Sequence, residues 1–223
     1  EINYHVVFDA SFTWEWMHST ENFYKKNHDI GTLYQVLEKY NSSFPEDAYR
    51  IYFTSNHDEN SWNGTGYEKY GSMLKPLAVF SCTWNGIPMI YSGEELPNLK
   101  RLHFFDKDTI EWTDKCELHD FFFFFLTLRK TNPALRAADN SVATFHILTG
   151  ASKNVMAYLR KHEEDEILVL LNLSNDETGF VLQDRLVNGK FTEVFSNTNH
   201  ILMPETFIKM HPWGYLVFEK EKG

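Results

Sequence analysis

Residues 49–58 read YRIYFTSNHD, and this stretch decides how the first half of the chain folds. It opens with a largely apolar, β-prone run and ends abruptly in His57 and Asp58. A polar loop containing Asn and Gly follows. In an α/β protein this pattern is typical of a strand that carries a carboxylate to the rim of a parallel sheet, where substrates bind.

The composition of the chain limits the kinds of protein to which it can belong. Hydrophobic residues make up 43% and aromatic residues 16% of the 223 residues, which is ample material for a folded core. The net charge of −10, without a basic stripe, excludes a nucleic-acid partner. No apolar run is long enough to span a membrane. Cys82 and Cys116 fit no metal or redox spacing, and the ten His include no metal-ligand motif, so we expect no metal site.

The first part of the chain alternates strand-like and helical patterns. Strands are predicted at 4–9, 51–55 and 86–92, and helices at 20–40, 67–83 and 117–130. Three successive βα units predict a parallel sheet with right-handed crossovers. Three strands cannot close a barrel, which needs eight, so these units predict part of a (β/α)8 barrel.

From about residue 141 the pattern changes to short runs of β-branched, aliphatic and aromatic residues separated by turns. The predicted strands lie at 142–148, 154–161, 166–172, 179–182, 191–195 and 214–219. Such spacing indicates an antiparallel β-sandwich. The predicted domains are therefore residues 1–138, an α/β part, and residues 139–223, an all-β part.

Five consecutive Phe occupy positions 121–125 on the last predicted helix. A helix that is apolar all round is normally buried all round. If the missing part of the barrel covers some of this helix, the isolated chain is expected to expose an aggregation-prone apolar patch here.

Several motifs follow one another in order along nearly the whole chain. They are HVVFDASFTWE (5–15), FTSNHDENSWNGT (53–65), GIPMIYSGEE (86–95), FFDKD with IEW (104–112), LRKTNPAL (128–135) and the runs at 155–161 and 167–174. This ordered set resembles the α-amylase superfamily of glycoside hydrolases, from the sixth barrel strand to the C-terminal sandwich. A lone Asn-His-Asp triplet would be a weak signal, whereas the ordered set is specific.

The resemblance implies roles for individual residues. Asp58 corresponds to the carboxylate that stabilises the transition state, and His57 to the residue that hydrogen-bonds the sugar at the cleavage point. Trp62 and Tyr91 are candidates to line sugar subsites. From the triplet alone, a polar turn that caps a strand and has no chemistry is the favoured interpretation, and only the surrounding motifs reverse this preference. We expect no cofactor.

The resemblance also implies which functional residues of the family lie outside this chain. The family's nucleophilic Asp and acid/base Glu are expected before Glu1, and the structural calcium of the family uses residues from that same half. We therefore interpret the chain as the C-terminal portion of a retaining α-glucan or α-glucoside hydrolase, and we expect it to be inactive alone.

Two alternatives stay open. The chain could be a non-catalytic carbohydrate-binding or scaffolding module, or a subunit that completes a barrel with a separate N-terminal chain. Because the predicted sheet has open edges, we expect self-association or pairing with the N-terminal half. The chain begins at Glu1 without a Met, so a signal peptide cannot be assessed and the compartment stays unknown.

Overall fold

The first part of the chain is built around a sheet whose middle strand carries buried apolar residues. The computed structural model describes residues 7–26, 29–96 and 98–222. Its first sheet contains β1 (Ala10–Phe12), β2 (Tyr49–Phe53) and β3 (Ile87–Met89), in that spatial order and all parallel. Tyr52 and Phe53 are buried in the middle strand. Parallel pairing brings the carboxyl ends of the three strands to one edge of the sheet.

The first strand and helix differ from the prediction. Of the strand predicted at 4–9, residues 4–6 lie outside the described residues, and the strand that is observed begins later, at Ala10. The single helix predicted at 20–40 is wrong, because two helices occupy this stretch, α1 (Trp14–Lys26) and α2 (Gly31–Ser43). Before α2, the Asp29 carboxylate accepts a hydrogen bond of 2.6 Å from the Gly31 backbone N–H, a local turn that starts a new helix.

The second and third units follow the predicted order. Helix α3 (Gly66–Tyr70), a 3₁₀ turn (Gly71–Met73) and α4 (Leu74–Thr83) replace the single helix predicted at 67–83. Pro76 falls in the first turn of α4, where its missing N–H breaks no helical hydrogen bond. The third unit ends in α5 (His119–Thr131), followed by a 3₁₀ turn (Pro133–Leu135).

An antiparallel β-sandwich follows. Its eight strands are β4 (Ala143–His146), β5 (Val155–His162), β6 (Asp165–Asn172), β7 (Thr178–Val181), β8 (Gly189–Glu193), β9 (Thr198–Leu202), β10 (Phe207–Met210) and β11 (Tyr215–Lys220). They form a six-stranded sheet of order β4-β5-β6-β11-β8-β9 and a two-stranded sheet of β10 and β7. Strands β9 and β10 were not predicted. Residues 150–220, all described, contain strands and turns and no helix.

The central strands β5 and β6 of the six-stranded sheet are buried on both faces, which joins the two parts of the chain. Alternate residues of β5 point to opposite sides: Ala157 lies in the core inside the sandwich, and Tyr158 in the core against the helices. The Tyr158 ring packs edge-on against Trp84 at 4.8 Å between ring centroids, and its hydroxyl lies 2.6 Å from the Thr83 hydroxyl. The sandwich therefore supports the end of α4.

The Phe-rich helix α5 is buried on one side and exposed on the other. Phe122 and Phe125 are buried, whereas Phe123 is 65% exposed. Residues three apart share one face of a helix, so 122 and 125 face the protein while 123 lies on the other side. The helix packs against the protein on one side only, so its other side is exposed although the five residues are all Phe.

Candidate functional site

The turn after β2 presents His57 and Asp58 at the carboxyl edge of the sheet. Asn56 is buried, and its side-chain oxygen accepts a hydrogen bond of 2.8 Å from the Glu59 backbone N–H. This closes the chain into a single π-helical turn, Glu59–Asn63. The result is a short polar turn whose first residues point outward.

His57 and Asp58 are adjacent and open to ligands. Their side chains are 70% and 46% exposed, and the His57 Nε2 lies 3.5 Å from the Asp58 Oδ1. An exposed carboxylate beside an imidazole can interact with developing positive charge and with hydroxyl groups at the same time.

A buried ion pair holds this turn from beneath. Lys69 of α3 is fully buried and pairs with Glu59, the residue that follows Asp58. The ammonium also lies 3.0 Å from the sulfur of Met17 on α1, and Glu59 accepts a hydrogen bond of 3.0 Å from the Asn63 side chain. Sequence reasoning missed this pair, because ten residues separate Glu59 from Lys69 and no local pattern links them.

Trp62 lies on the same rim, among aromatic rings from another loop. Its ring centroid is 5.2 Å from that of Phe104 and 5.9 Å from that of Phe105. Phe104 also stacks on His57, with centroids 6.0 Å apart and 18° between the ring planes. Three residues named from the sequence, His57, Asp58 and Trp62, therefore lie close together. Phe104, which was not named as a site residue, contacts both His57 and Trp62.

An ion pair orders the loop that contains Asp106, Lys107 and Asp108. Asp108 pairs with Lys100, at 2.6 Å, rather than with its neighbour Lys107. The Lys100 ammonium and the backbone N–H groups of His103 and Thr109 hydrogen-bond the Asp108 carboxylate and hold its pKa well below its usual range. Asp108 thus shapes the loop that carries Phe104 and Phe105.

Tyr91 lies on a small, largely apolar cavity beside the turn. The cavity, of about 30 Å³, is large enough for one water molecule, and Tyr91, Ser55, Glu94 and Asn98 are among its lining residues. The Ser55 Oγ and the Asn98 Nδ2 are buried and have no hydrogen-bond partner among the described residues. Tyr91 thus lies behind the rim, and burial raises the pKa of its phenol.

Glu94 connects this cavity to the end of β2. One of its carboxylate oxygens accepts a hydrogen bond of 2.5 Å from the Thr54 hydroxyl, and the other accepts one of 2.7 Å from the Tyr91 backbone N–H. Burial raises the pKa of Glu94 to about 7, even though both hydrogen bonds lower it. Its neighbour Glu95 accepts a hydrogen bond of 3.0 Å from the Gly93 backbone N–H, so both carboxylates shape the loop after β3.

The described parts of the chain contain neither a metal-ligand cluster nor a membrane-spanning helix. No group of three or more His, Cys, Asp or Glu side chains among the described residues is placed to hold a metal ion. None of the described helices is long and apolar enough to cross a membrane.

Comparison with known families identifies the chain. A family model described as the α-amylase catalytic domain matches residues 2–147, and one described as the maltogenic amylase C-terminal domain matches residues 145–217. The chain belongs to the α-amylase family of glycoside hydrolases. The position predicted for the boundary between the two domains, 138/139, stays a prediction.

Curated relatives of this α-amylase-family chain are much longer than it is. Alpha-amylase 2 of Dictyoglomus thermophilum is 30% identical over 159 residues, which cover 66% of this chain and 26% of that protein. A cyclomaltodextrinase of a Bacillus species is 34% identical over 122 residues, covering 49% of this chain and 19% of that protein. The chain thus spans about a quarter or less of the length of these relatives.

Solved structures of the family have the same fold. The noncanonic maltogenic α-amylase AmyB from Thermotoga neapolitana aligns with all of this chain and 53% of its own, with a TM-score of 0.85 at 16% identity. An α-amylase from Lactobacillus plantarum aligns with 99% of this chain and 50% of its own, with a TM-score of 0.78 at 15% identity. The predicted fold class, part of a (β/α)8 barrel followed by an antiparallel β-sandwich, is confirmed.

Proposed function

We propose that this chain is the C-terminal portion of a retaining α-glucan or α-glucoside hydrolase, or of a related transglycosylase, with α-glucans or maltooligosaccharides as substrates. The observation that carries the proposal is the exposed His57–Asp58 pair at the carboxyl end of β2, in a chain of the α-amylase family. The carboxyl ends of parallel barrel strands are where such folds bind substrates.

Asp58 acts as an electrostatic stabiliser. Retaining glycosidases cleave through an oxocarbenium-like transition state, using a nucleophilic and an acid/base carboxylate about 5–5.5 Å apart. Asp58 is a third carboxylate, whose negative charge favours the positive charge that develops on the sugar. His57 forms hydrogen bonds with hydroxyl groups of the same sugar.

Trp62 and Tyr91 contribute apolar contacts to sugar subsites. The exposed indole of Trp62 on the rim supports this role. The support for Tyr91 is weaker, because its ring is partly buried beside the cavity and its backbone N–H is bound by Glu94.

The nucleophile and the acid/base residue come from sequence that precedes residue 1 in the whole protein. Asp58 cannot replace them, since its role is to stabilise charge rather than to attack the anomeric carbon or to protonate the glycosidic oxygen. The 223-residue chain alone is therefore expected to release no reducing ends from soluble starch or maltooligosaccharides above background.

Substitutions in the whole protein test the role of Asp58. In the product of the complete gene, Asp58→Asn should lower kcat by about 10²–10³-fold and change KM far less, because the lost interaction is strongest in the transition state. His57→Ala should cost less, because it removes hydrogen bonds and no charge from the reaction. Reducing-end release gives both constants, and chromatography of the products separates hydrolysis from transglycosylation.

The matched control is Asp114→Asn, which removes an exposed carboxylate from the loop between β3 and α5. It should leave both kinetic constants unchanged. Turnover by the 223-residue chain that Asp58→Asn abolishes would contradict the placement of the two missing carboxylates. An Asp58→Asn enzyme as fast as the control would contradict the role of Asp58.

A further inference from the structure

Lys69 is a fully buried cation beneath the turn that carries His57 and Asp58. Its side chain is 0% exposed, and its ammonium pairs with the Glu59 carboxylate, which is 5% exposed. A second carboxylate, that of Glu21 on α1, lies 3.7 Å from the same ammonium. A charge removed from water is costly unless a group of opposite charge is held against it. The ammonium of Lys69 therefore determines where the Glu59 side chain must lie.

Glu59 connects this ion pair to the backbone of the turn. Its N–H donates to the Asn56 side-chain oxygen at 2.8 Å, and its backbone carbonyl accepts a hydrogen bond of 3.0 Å from the Gly64 N–H. Its other carboxylate oxygen accepts one of 3.0 Å from the Asn63 side chain. Glu59 thus bonds to residues on both sides of it, and it directly follows Asp58 in the chain. A displacement of the Glu59 side chain is therefore transmitted to the Asp58 backbone.

Two helices hold Lys69 itself in place. Lys69 belongs to α3, whose first turn is closed by reciprocal hydrogen bonds between Thr65 and Glu68. Its ammonium lies 3.0 Å from the sulfur of Met17 on α1, and 5.5 Å from the centre of the Tyr70 ring. A cation enclosed by two packed helices cannot follow a movement of the turn, so Lys69 is a fixed point to which Glu59 is bound.

The orientation of the Asp58 carboxylate depends on the backbone of the turn. Among the described residues, the only charged or hydrogen-bonding partner of its side chain is the His57 imidazole, at 3.5 Å. Charges that are oriented in advance stabilise a transition state best, because they need not reorient as the opposite charge develops. We propose that Lys69 is a positioning residue, which orients the Asp58 carboxylate toward the substrate through Glu59. This inference rests on the function proposed above.

Substitution of Lys69 in the whole protein tests this role. Lys69→Met has a similar length and no charge, so the Glu59 carboxylate loses its partner, turns toward water and displaces the turn. The variant should lower kcat by about 10–10²-fold and change KM far less, because a displacement of about 1 Å suffices for such a loss. Reducing-end release from maltoheptaose gives both constants, and urea unfolding gives the folded fraction by which kcat is corrected.

The same substitution in the Asp58→Asn protein separates positioning from stability. Without the carboxylate that Lys69 orients, Lys69→Met should lower kcat by no more than about twofold. A residue that only stabilises the fold reduces the amount of folded protein in both backgrounds and leaves kcat per folded enzyme unchanged. An equal loss of kcat in the two backgrounds, or a loss in neither, would overturn the proposal.

Glu59→Asp keeps both charges and changes only the reach of one of them. The carboxylate is one methylene shorter, so it meets Lys69 only if the turn moves. No buried charge loses its partner, so this variant tests the proposal even where Lys69→Met does not fold. It should lower kcat by about tenfold with little change in KM, and a native kcat would overturn the proposal. Lys39→Met, which breaks the exposed ion pair with Glu15 on α1, is the control and should change neither constant.

Crystal structures of the variants make the outcome distinguishable from that of the proposed function. A whole protein without turnover would refute the hydrolase, and the place of the turn would then decide the role of Lys69. In Lys69→Met or Glu59→Asp the Asp58 carboxylate should move by about 1 Å, whereas in Lys39→Met it should stay in place. An unmoved carboxylate would overturn the positioning role whether or not the protein is a hydrolase. An active hydrolase in which both variants keep the native kcat would refute the positioning role alone.

Discussion

Glu94 shows at the level of one residue how the two loops of the site depend on each other. Its carboxyl group links Thr54, which lies two residues before Asn56 of the Asn-His-Asp triplet, to the backbone of Tyr91. When Glu94 is protonated, its O–H can donate to the Thr54 hydroxyl while the carbonyl oxygen still accepts from Tyr91. When it is ionised, the same contacts persist, but the charge is confined in a poorly solvated place.

Glu94 should make stability depend on pH. Its folded-state pKa of about 7 lies above the ordinary value of 4.5, so its contribution is complete below about pH 4.5 and is lost as the pH rises through 7. Glu94→Gln keeps the shape and both hydrogen bonds without a charge. The variant should therefore gain stability over the native protein between pH 5 and pH 8, by about 2–3 kcal/mol at most.

Urea unfolding at pH 5, 6, 7 and 8 measures this difference. Glu95→Gln, the substitution at the neighbouring position, is the control and should not reproduce the trend. A difference between Glu94→Gln and the native protein that stays constant over this range would show that Glu94 titrates normally.

Among the elements, β3 illustrates how a short strand is positioned by close backbone contacts. It begins immediately after Gly86, and a Cβ atom at this position would lie 2.4 Å from the Tyr52 ring and 2.6 Å from the Arg50 carbonyl oxygen. Arg129 of α5 donates hydrogen bonds to the Cys82 carbonyl, at 3.0 Å, and to the Gly86 carbonyl. Helix α5 thus fixes the start of β3.

Gly86→Ala should therefore destabilise the protein by about 1–3 kcal/mol, because the added methyl group overlaps a buried ring and the backbone of β2. The free energy of unfolding, or the shift in Tm, measures the effect. Gly150→Ala is the matched control, since a Cβ atom there meets no atom closer than 3.6 Å. Equal stability of the two variants would contradict the close packing of β3 on β2.

At the scale of the whole molecule, the barrel part has uncovered apolar surface. In the described residues, β1 and β3 each pair only with β2, so each leaves one edge without a partner strand. Val7, Phe8, Phe12 and Ile87, which lie in or near these strands, are exposed. Open parallel edges and exposed apolar side chains favour association with another chain.

The 223-residue chain is accordingly expected to self-associate, or to form a complex with a co-expressed N-terminal portion of the whole protein. Light scattering gives the mass, and binding of a dye specific for apolar surfaces reports its exposure. Co-expression with the N-terminal portion should reduce both dye binding and self-association. A stable monomer that binds no dye would contradict this expectation.

The sequence by itself determined the order of the units and the place of the triplet. Hydrophobic periodicity and turn residues are local signals, which can be recognised from neighbouring residues alone. They sufficed to predict the three βα units, the change to short strands near residue 141, and the position of His57 and Asp58 after a strand. The ordered motifs also sufficed to indicate the family, which the family comparison confirmed.

Only the tertiary structure decided features that depend on residues distant in the chain. The exposure of Phe123 follows from which side of α5 packs, and the burial of Lys69 from its pairing with Glu59. Strand β9 was missed because most of its residues are exposed at a sheet edge and carry little apolar pattern. Trp62 contacts Phe104 and Phe105 because two separate loops meet at one edge of a parallel sheet. The periodicity of the sequence is a local signal, so it does not predict which loops meet.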